Sequence, residues 1–324
     1  MSRIAALDPA TYRRHSIHGE NRAWAETNCY SDVVIELLHG LGHEPIAALP
    51  FTLAIDFECD QWTFFKFPHG DLLELFGWDI QELAVWRPLA EHVATQVEAG
   101  RPVLVELDSF FLPDTAGTAY KLAHVKSTVA VNEIDIGMRK LGYFHNQSYH
   151  TLAGEDFADL FQLEGIVHER MLPPYIEYVK IRPELGVNDG AKLVEASLLL
   201  LRKHLTRVPS RNPFSVFKTR FEQDLVWLLE SSLDSFHAYS FVTFRQYGAC
   251  FELAETYIRW LAENGVAGLA ASLNAFQNIS QTTKAFQFQL ARSMARGKPL
   301  DLSPLDQLAV EWELGIDNLR RQYG

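Results

Sequence analysis

The spacing of the apolar residues changes once, near residue 188, and this change constrains the fold more than any other feature of the chain. Between about residues 29 and 181 helix-like and strand-like segments alternate, whereas beyond that stretch apolar positions fall three or four apart almost throughout. A chain of 324 residues with 48% apolar side chains has material for two cores. The pattern predicts an α+β domain over residues 1–182 and an α-helical domain over residues 183–324.

Within the first domain a helix is expected to open at Cys29, where Glu26-Thr27-Asn28 gives way to Val33, Val34, Leu37 and Leu38, and to close at Gly40-Leu41-Gly42. Residues 51–55 and 62–67 read as short strands around an acidic turn, and 80–99 as one or two helices. Residues 102–108 form a strand candidate that runs into a turn-rich loop at 112–118. His124 then opens another strand, in which Val125, Ser127, Val129 and Val131 alternate with Lys126, Thr128, Ala130 and Asn132. Residues 143–146 suit its hairpin partner, and 175–181 supply a last strand. In the second domain Asn188 and Asp189 are expected to cap a helix carrying Leu193, Val194, Leu198, Leu201 and Leu205. Further helices over 214–231, 247–262, 266–296 and 304–323 suit a bundle.

A formal charge of −12 disfavours a nucleic-acid partner, because a phosphate backbone meets an acidic average surface. The exception is local: Arg202, Lys203, Arg207, Arg211, Lys218 and Arg220 lie in a stretch without Asp or Glu. Such a patch suits one acidic or phosphorylated partner, or else a solvated helix end followed by a loop. Three widely spaced cysteines, Cys29, Cys59 and Cys250, argue against a disulfide framework or a zinc site and fit a reducing cytoplasm. The amino terminus lacks the apolar core of a signal peptide, and no apolar run reaches spanning length, so no membrane partner is expected. No P-loop, dinucleotide-binding glycine pattern or G-x-S-x-G elbow is present, so no bound cofactor is expected. His39 and His43 straddle the end of a helix, and Asp56, Glu58 and Asp60 read as a solvated acidic turn, so no metal site is expected. His15 and His18 read as surface or cleft-edge residues of a polar arm.

Cys29 carries the chemical interest. A thiol in the first turn of a helix meets the positive end of the macrodipole and unsatisfied backbone N–H groups, a setting for a nucleophile. The same residue type is also a common small buried hydrophobe. A cysteine nucleophile needs a base, and a third group that fixes the imidazole. His124 at a strand opening and Asn146 near the end of the following strand offer these in order, giving Cys29, His124 and Asn146 as the expected catalytic set.

That order resembles the papain-like cysteine fold, which implies a helix packed on an antiparallel sheet, with closer parallels to bacteriocin-leader peptidases and to the amino-terminal domain of butirosin-type acyltransferases. Glu26-Thr27-Asn28-Cys29-Tyr30, Asp60-Gln61-Trp62-Thr63-Phe64-Phe65-Lys66, the loop at 112–118 and His124-Val125-Lys126 also resemble the bacterial domain-of-unknown-function family 1839 over nearly the whole chain. The family resemblance brings no activity; the acyltransferase resemblance covers mainly residues 20–150. It implies that Cys29 accepts an acyl or aminoacyl group from the phosphopantetheine thioester of an acidic carrier protein. The group then passes to a small amine, with His124 as base and Asn146 as orienting residue. The papain-like pattern has an oxyanion-hole Gln about six residues before the cysteine, where this chain has Ala23. Asn28 or Asn21 is then expected to complete the oxyanion site, with Gln61 lining it. The basic residues at 202–220 would dock the carrier, and residues 244–252 loosely resemble the helical cap of the same enzymes, or simply pack a bundle. Two other functions stay open on the same features: a cysteine peptidase or amidase, and a non-catalytic binding protein.

Overall fold

The computed structural model describes residues 2–24, 26–165, 175–187, 190–296 and 299–324. The chain divides into two compact units that are interleaved in sequence. Unit 1 comprises Met1–Gly19, Asn28–Pro45 and Pro68–Asn188, and unit 2 comprises Glu20–Thr27, Ile46–Phe67 and Asp189–Gly324. Where the sequence pattern suggests a single division at 182/183, two upstream segments thus belong with the helices.

Unit 1 contains β1 (Ser2–Arg3), α1 (Cys29–Gly40), α2 (His69–Phe76), β2 (Trp78–Glu82), α3 (Leu89–Glu98) and β3 (Val103–Asp108). It continues with β4 (Lys126–Asp135), β5 (Lys140–His145), β6 (Ser148–Ala153), α4 (Glu155–Leu160) and β7 (Tyr175–Ile181). The strands form one antiparallel sheet in the order β2-β7-β3-β4-β5-β6, with β1 beside β4. Side chains alternate across it. Val103, Val105, Leu107, Val129 and Val131 point to one face, where Val93 and Val97 of α3 and Phe157 and Leu160 of α4 complete a core. The other face receives α1, which packs on β4 and β5. Val33, Val34, Ile35, Leu37 and Leu38 of α1 are fully buried, each contributing roughly 1.5–3 kcal/mol.

Two sequence expectations fail in this unit for identifiable reasons. Residues 80–82 are the end of strand β2, because Gly77, at φ 68°, stops α2 and turns the chain, and a helix begins only after Pro88. His18 is buried, 2% exposed, where a surface position was expected. The reason lies on α1, whose Asp32 and Glu36 are also buried and require partners. His18 Nδ1 lies 2.5 Å from Glu36 Oε1, and its Nε2 lies 3.2 Å from Asp32 Oδ1. The Tyr12 hydroxyl donates to Glu36 Oε2 at 2.5 Å, and the His15 N–H donates to Glu36 Oε1 at 3.0 Å.

Unit 2 contains α5 (Gly190–Leu205), α6 (Pro213–Leu229), α7 (Leu233–Val242), α8 (Phe244–Glu263), α9 (Ala270–Arg296) and α10 (Ser303–Tyr323). The expected caps Asn188 and Asp189 lie outside the described residues. Residues 51–55 are not a strand: Pro45–Ala54 forms 3-10 turns, since Pro45 and Pro50 have no N–H to give a ladder. Of the strand expected at 62–67 only the two-residue ladder of Phe57–Glu58 with Gln61–Trp62 forms. Its Trp62 ring packs against Phe214, Phe217 and Tyr247 at centroid distances of 5.1, 5.6 and 4.7 Å, which explains why this segment joins the helices. The chain just before Cys29 is tied to α8. Glu252 accepts from the backbone N–H groups of Ala23 and Trp24 at 2.8 and 3.0 Å. The Trp24 ring lies on Gly248, where a Cβ would stand 2.3 Å from Trp24 Cζ2. Among the described residues no helix is long and apolar enough to cross a membrane.

The His18 cluster sets a pH dependence. Burial lowers the affinity of the ring for a proton, but hydrogen bonds to Asp32 and Glu36 and their charges outweigh it, and the pKa rises from 6.5 to about 9. A pKa raised on folding contributes stability that is complete below the unfolded value of 6.5 and is lost as pH passes about 9. Thermal melts of the wild type are expected to be level between about pH 5 and 6.5 and to fall between pH 7 and 9. His18→Gln should lower stability by about 3 kcal/mol or more at pH 6 by leaving two carboxylates uncompensated. Equal melting of the two proteins at pH 6 would contradict the assignment.

Candidate active site

Helix α1 opens where the sequence suggests. Asn28, extended at φ −142° and ψ 155°, caps it, its side-chain oxygen accepting from Ser31 N–H at 2.9 Å. Cys29 is therefore the first helical residue. Its thiol is partly exposed and donates to Thr128 Oγ1 at 3.8 Å. Thr128 stands opposite Glu106, and Lys126 opposite Asp108, in the β3/β4 ladder. Glu106, Asp108, Lys126 and Thr128 thus share the α1 face of the sheet, as the 2.9 Å Lys126–Glu106 ion pair bears out.

Asp108 holds the histidine. His124 Nδ1 lies 2.6 Å from Asp108 Oδ2, and the Asp108 side chain is fully buried. Asp108 Oδ1 accepts from Phe110 N–H at 3.1 Å, and the imidazole stacks on Phe110 with centroids 4.4 Å apart and planes 8° from parallel. The ring is thereby fixed in tautomer and plane while remaining a quarter exposed. Asp108 stands two residues, about 7 Å, along β3 from the level of Thr128. Among the described residues no hydrogen bond joins Cys29 to His124.

Among the described residues no hydrogen bond joins Asn146 to His124. Asn146 sits in the turn between β5 and β6 with φ 49°, a conformation that asparagine tolerates better than most residues. The partner of the His124 ring is Asp108. The signal for it was present in the sequence as the polar residue ending the 102–108 strand, one turn before the loop that returns to His124.

The opposite face of the same strands carries a second relay. Ser127 Oγ lies 2.7 Å from His145 Nε2, and His145 Nδ1 lies 2.6 Å from Asp114 Oδ2. Tyr143 also donates to Asp114, at 2.5 Å. His145 is 1% exposed and Ser127 9%, so this set closes the 112–118 loop onto β4 and β5. A third cluster adjoins the thiol in sequence. The Tyr30 hydroxyl bridges His69 Nε2 at 2.9 Å and Glu177 Oε2 at 3.2 Å, and burial with Glu177's charge raises the Tyr30 pKa. A cavity of about 280 Å³ lined by Glu106, Leu107, Asp108, Leu160 and Phe161 reaches the histidine's carboxylate.

The other expected residues are more dispersed. Asn21 and Gln61 are exposed and belong to unit 2, while Asn28 belongs to unit 1 with Cys29. The basic residues at 202–220 lie in unit 2. Lys218 pairs with Asp306 at 2.6 Å and Arg220 with Asp224 at 2.8 Å, so these two charges are matched within the unit. Arg202 and Arg211 line separate surface depressions. His39 Nε2 engages the Arg13 carbonyl at 3.0 Å, and His43 packs against Phe76 and Trp78, where burial lowers its pKa. Cys250 is buried and its thiol donates to the Thr52 carbonyl at 3.4 Å, with its pKa raised by burial.

The architecture defines a two-unit protein: an antiparallel α+β unit with a cysteine opening its central helix, and a helical unit. The chain belongs to the DUF1839 family, whose N-terminal domain matches residues 13–181 and whose C-terminal domain matches residues 190–321. No curated protein matches the sequence.

The buried relay gives a test of its own. Burial pushes the Asp114 carboxyl up, but His145 and Tyr143 outweigh it and hold the pKa below 3.8. A pKa depressed on folding contributes stability that is present above the unfolded value and lost as pH falls through the folded one. Asp114→Asn is expected to cost about 2–4 kcal/mol in urea unfolding at pH 7, with the gap to wild type narrowing toward pH 3. A gap that does not change with pH would contradict an ionised Asp114.

Proposed function

We propose that this protein is a cysteine-dependent acyl or aminoacyl transferase that works through an acyl-Cys29 intermediate. The observation that carries the reading is that a first-turn cysteine, bonded to Thr128, and the carboxylate that holds His124 lie at the same face of one antiparallel sheet. The papain-like resemblance supports the same assignment, with Asp108 in the orienting position in place of Asn146. The resemblance to butirosin-type enzymes supports a carrier-protein thioester as donor and a small amine as acceptor. The phosphopantetheine would belong to the carrier.

The sulfur attacks the thioester carbonyl while its proton passes to His124 Nε2, the ring nitrogen that Asp108 leaves available. Collapse of the adduct releases the carrier thiol, which takes that proton, and leaves a thioester on Cys29. The acceptor amine then attacks, gives its proton to His124, and the regenerated Cys29 thiol recovers it. For this the thiol turns from Thr128 toward His124 when substrate is bound. The backbone N–H of Cys29, unsatisfied within the first turn of α1, would donate to the oxyanion. Carrier docking would rest on Arg202, Arg207 and Arg211 more than on Lys218 and Arg220, whose charges are already matched. The bond from Cys29 to Thr128 favours a second reading, a binding protein that does no chemistry.

Incubation with a panel of acyl- and aminoacyl-pantetheine thioesters is expected to raise the intact mass of the wild type by one acyl group. Cys29→Ser should show no adduct, Asp108→Asn should load at least about 10²-fold more slowly, and an added amine should discharge the enzyme faster than water does. Full transfer by Cys29→Ala would rule out the mechanism, and absence of any adduct across the panel would favour the binding protein.

A further inference from the structure

Unit 2 contains a cavity of about 400 Å³ that the chemistry of Cys29 does not use. Trp24, Glu26, His237, Phe241, Arg245 and Lys284 are among the residues that line it. Its floor is fixed. Trp24 is 4% exposed, its indole N–H donates to Ser280 Oγ at 3.0 Å, and Gly248 leaves the space that the ring fills.

The cavity is positively charged and incompletely satisfied. Lys284 Nζ sits 4.2 Å from the centroid of the Trp24 ring, and among the described residues no carboxylate forms an ion pair with it. Arg245 donates through Nη2 to Glu26 at 2.8 Å and through Nε to the Thr27 carbonyl at 3.2 Å, while its guanidinium covers Phe241 at 4.9 Å. Two cations therefore face one carboxylate. Ser240, 2% exposed, is among the residues at the cavity wall, but its hydroxyl oxygen is sealed from it. Burial, and then the charge of Arg245, hold the Lys284 ammonium below its usual pKa against the pull of Glu252. An anion in the cavity would relieve that.

We infer that this cavity is a binding site for a small organic oxyanion, a carboxylate or a phosphate ester. Its charged group would lie on Lys284 and Arg245, and its apolar or aromatic part against Trp24 and Phe241. One positive charge without an ion-pair partner and two aromatic walls select such a ligand over a cation or a neutral molecule. The site would bind it whether or not Cys29 is a nucleophile.

Isothermal titration of the full-length protein with benzoate and with phenyl phosphate tests the site, with benzamide as the uncharged control. At least one of the two anions is expected to bind saturably with a dissociation constant below about 10 mM, and benzamide is not. The tighter of the two identifies the anion class. Lys284→Gln should weaken binding about tenfold or more and Lys284→Arg should restore most of it, with circular dichroism melts confirming that both variants fold. Failure of both anions to bind the wild type, binding of benzamide as tight as theirs, or undiminished binding by folded Lys284→Gln would each overturn the inference.

Discussion

Unit 1 depends on the neutralisation of two buried carboxylates on its central helix. Asp32 and Glu36 are buried where α1 meets the amino-terminal arm, and an unpaired charge there would cost several kcal/mol. His18 and Tyr12 meet them there. The arm is consequently held to α1 by polar contacts, while the apolar stripe of the same helix settles on β4 and β5. The direction of α1, and with it the position of the Cys29 sulfur at its first turn, follows from both sets of contacts.

The sheet separates two kinds of chemistry by the alternation of its side chains. On the α1 face β3 and β4 bring Thr128 to the thiol and Asp108 to His124. On the other face the same strands bury valines and leucines, with Ser127, His145 and Asp114 closing the loop above them. Both histidines carry a carboxylate at Nδ1. They differ in access: His124 is a quarter exposed, whereas His145 is sealed. Exposure, more than hydrogen-bond geometry, separates the candidate base from the structural one.

Much of this was legible in the sequence. The opening and end of α1, strand β7, the β4 alternation and the long helices of unit 2 followed from period and capping residues. Less legible were features set by distant partners. The apolar residues at 51–55 resemble a strand, yet prolines and burial among helices decide otherwise. His18 looks like a surface residue until Asp32 and Glu36 are seen to be buried beside it. Asn146 has the right order for a triad, but its φ of 49° explains the asparagine as a turn residue. Asp108 was visible only as the last residue of a strand, and nothing local indicated that the chain would return His124 to it after sixteen residues.

The three free cysteines provide an internal comparison for the proposed nucleophile Cys29 and its base His124. Cys59 is exposed, Cys250 is buried, and Cys29 lies between them. Competitive alkylation with a limiting amount of iodoacetamide at pH 7, read by peptide mass spectrometry, ranks the three thiols in one molecule. A thiol served by His124 is expected to be labelled faster than the more accessible Cys59, and His124→Ala to remove that advantage of Cys29 without changing Cys59. Labelling of Cys29 that is slower than Cys59, and unaffected by His124→Ala, would contradict the proposal.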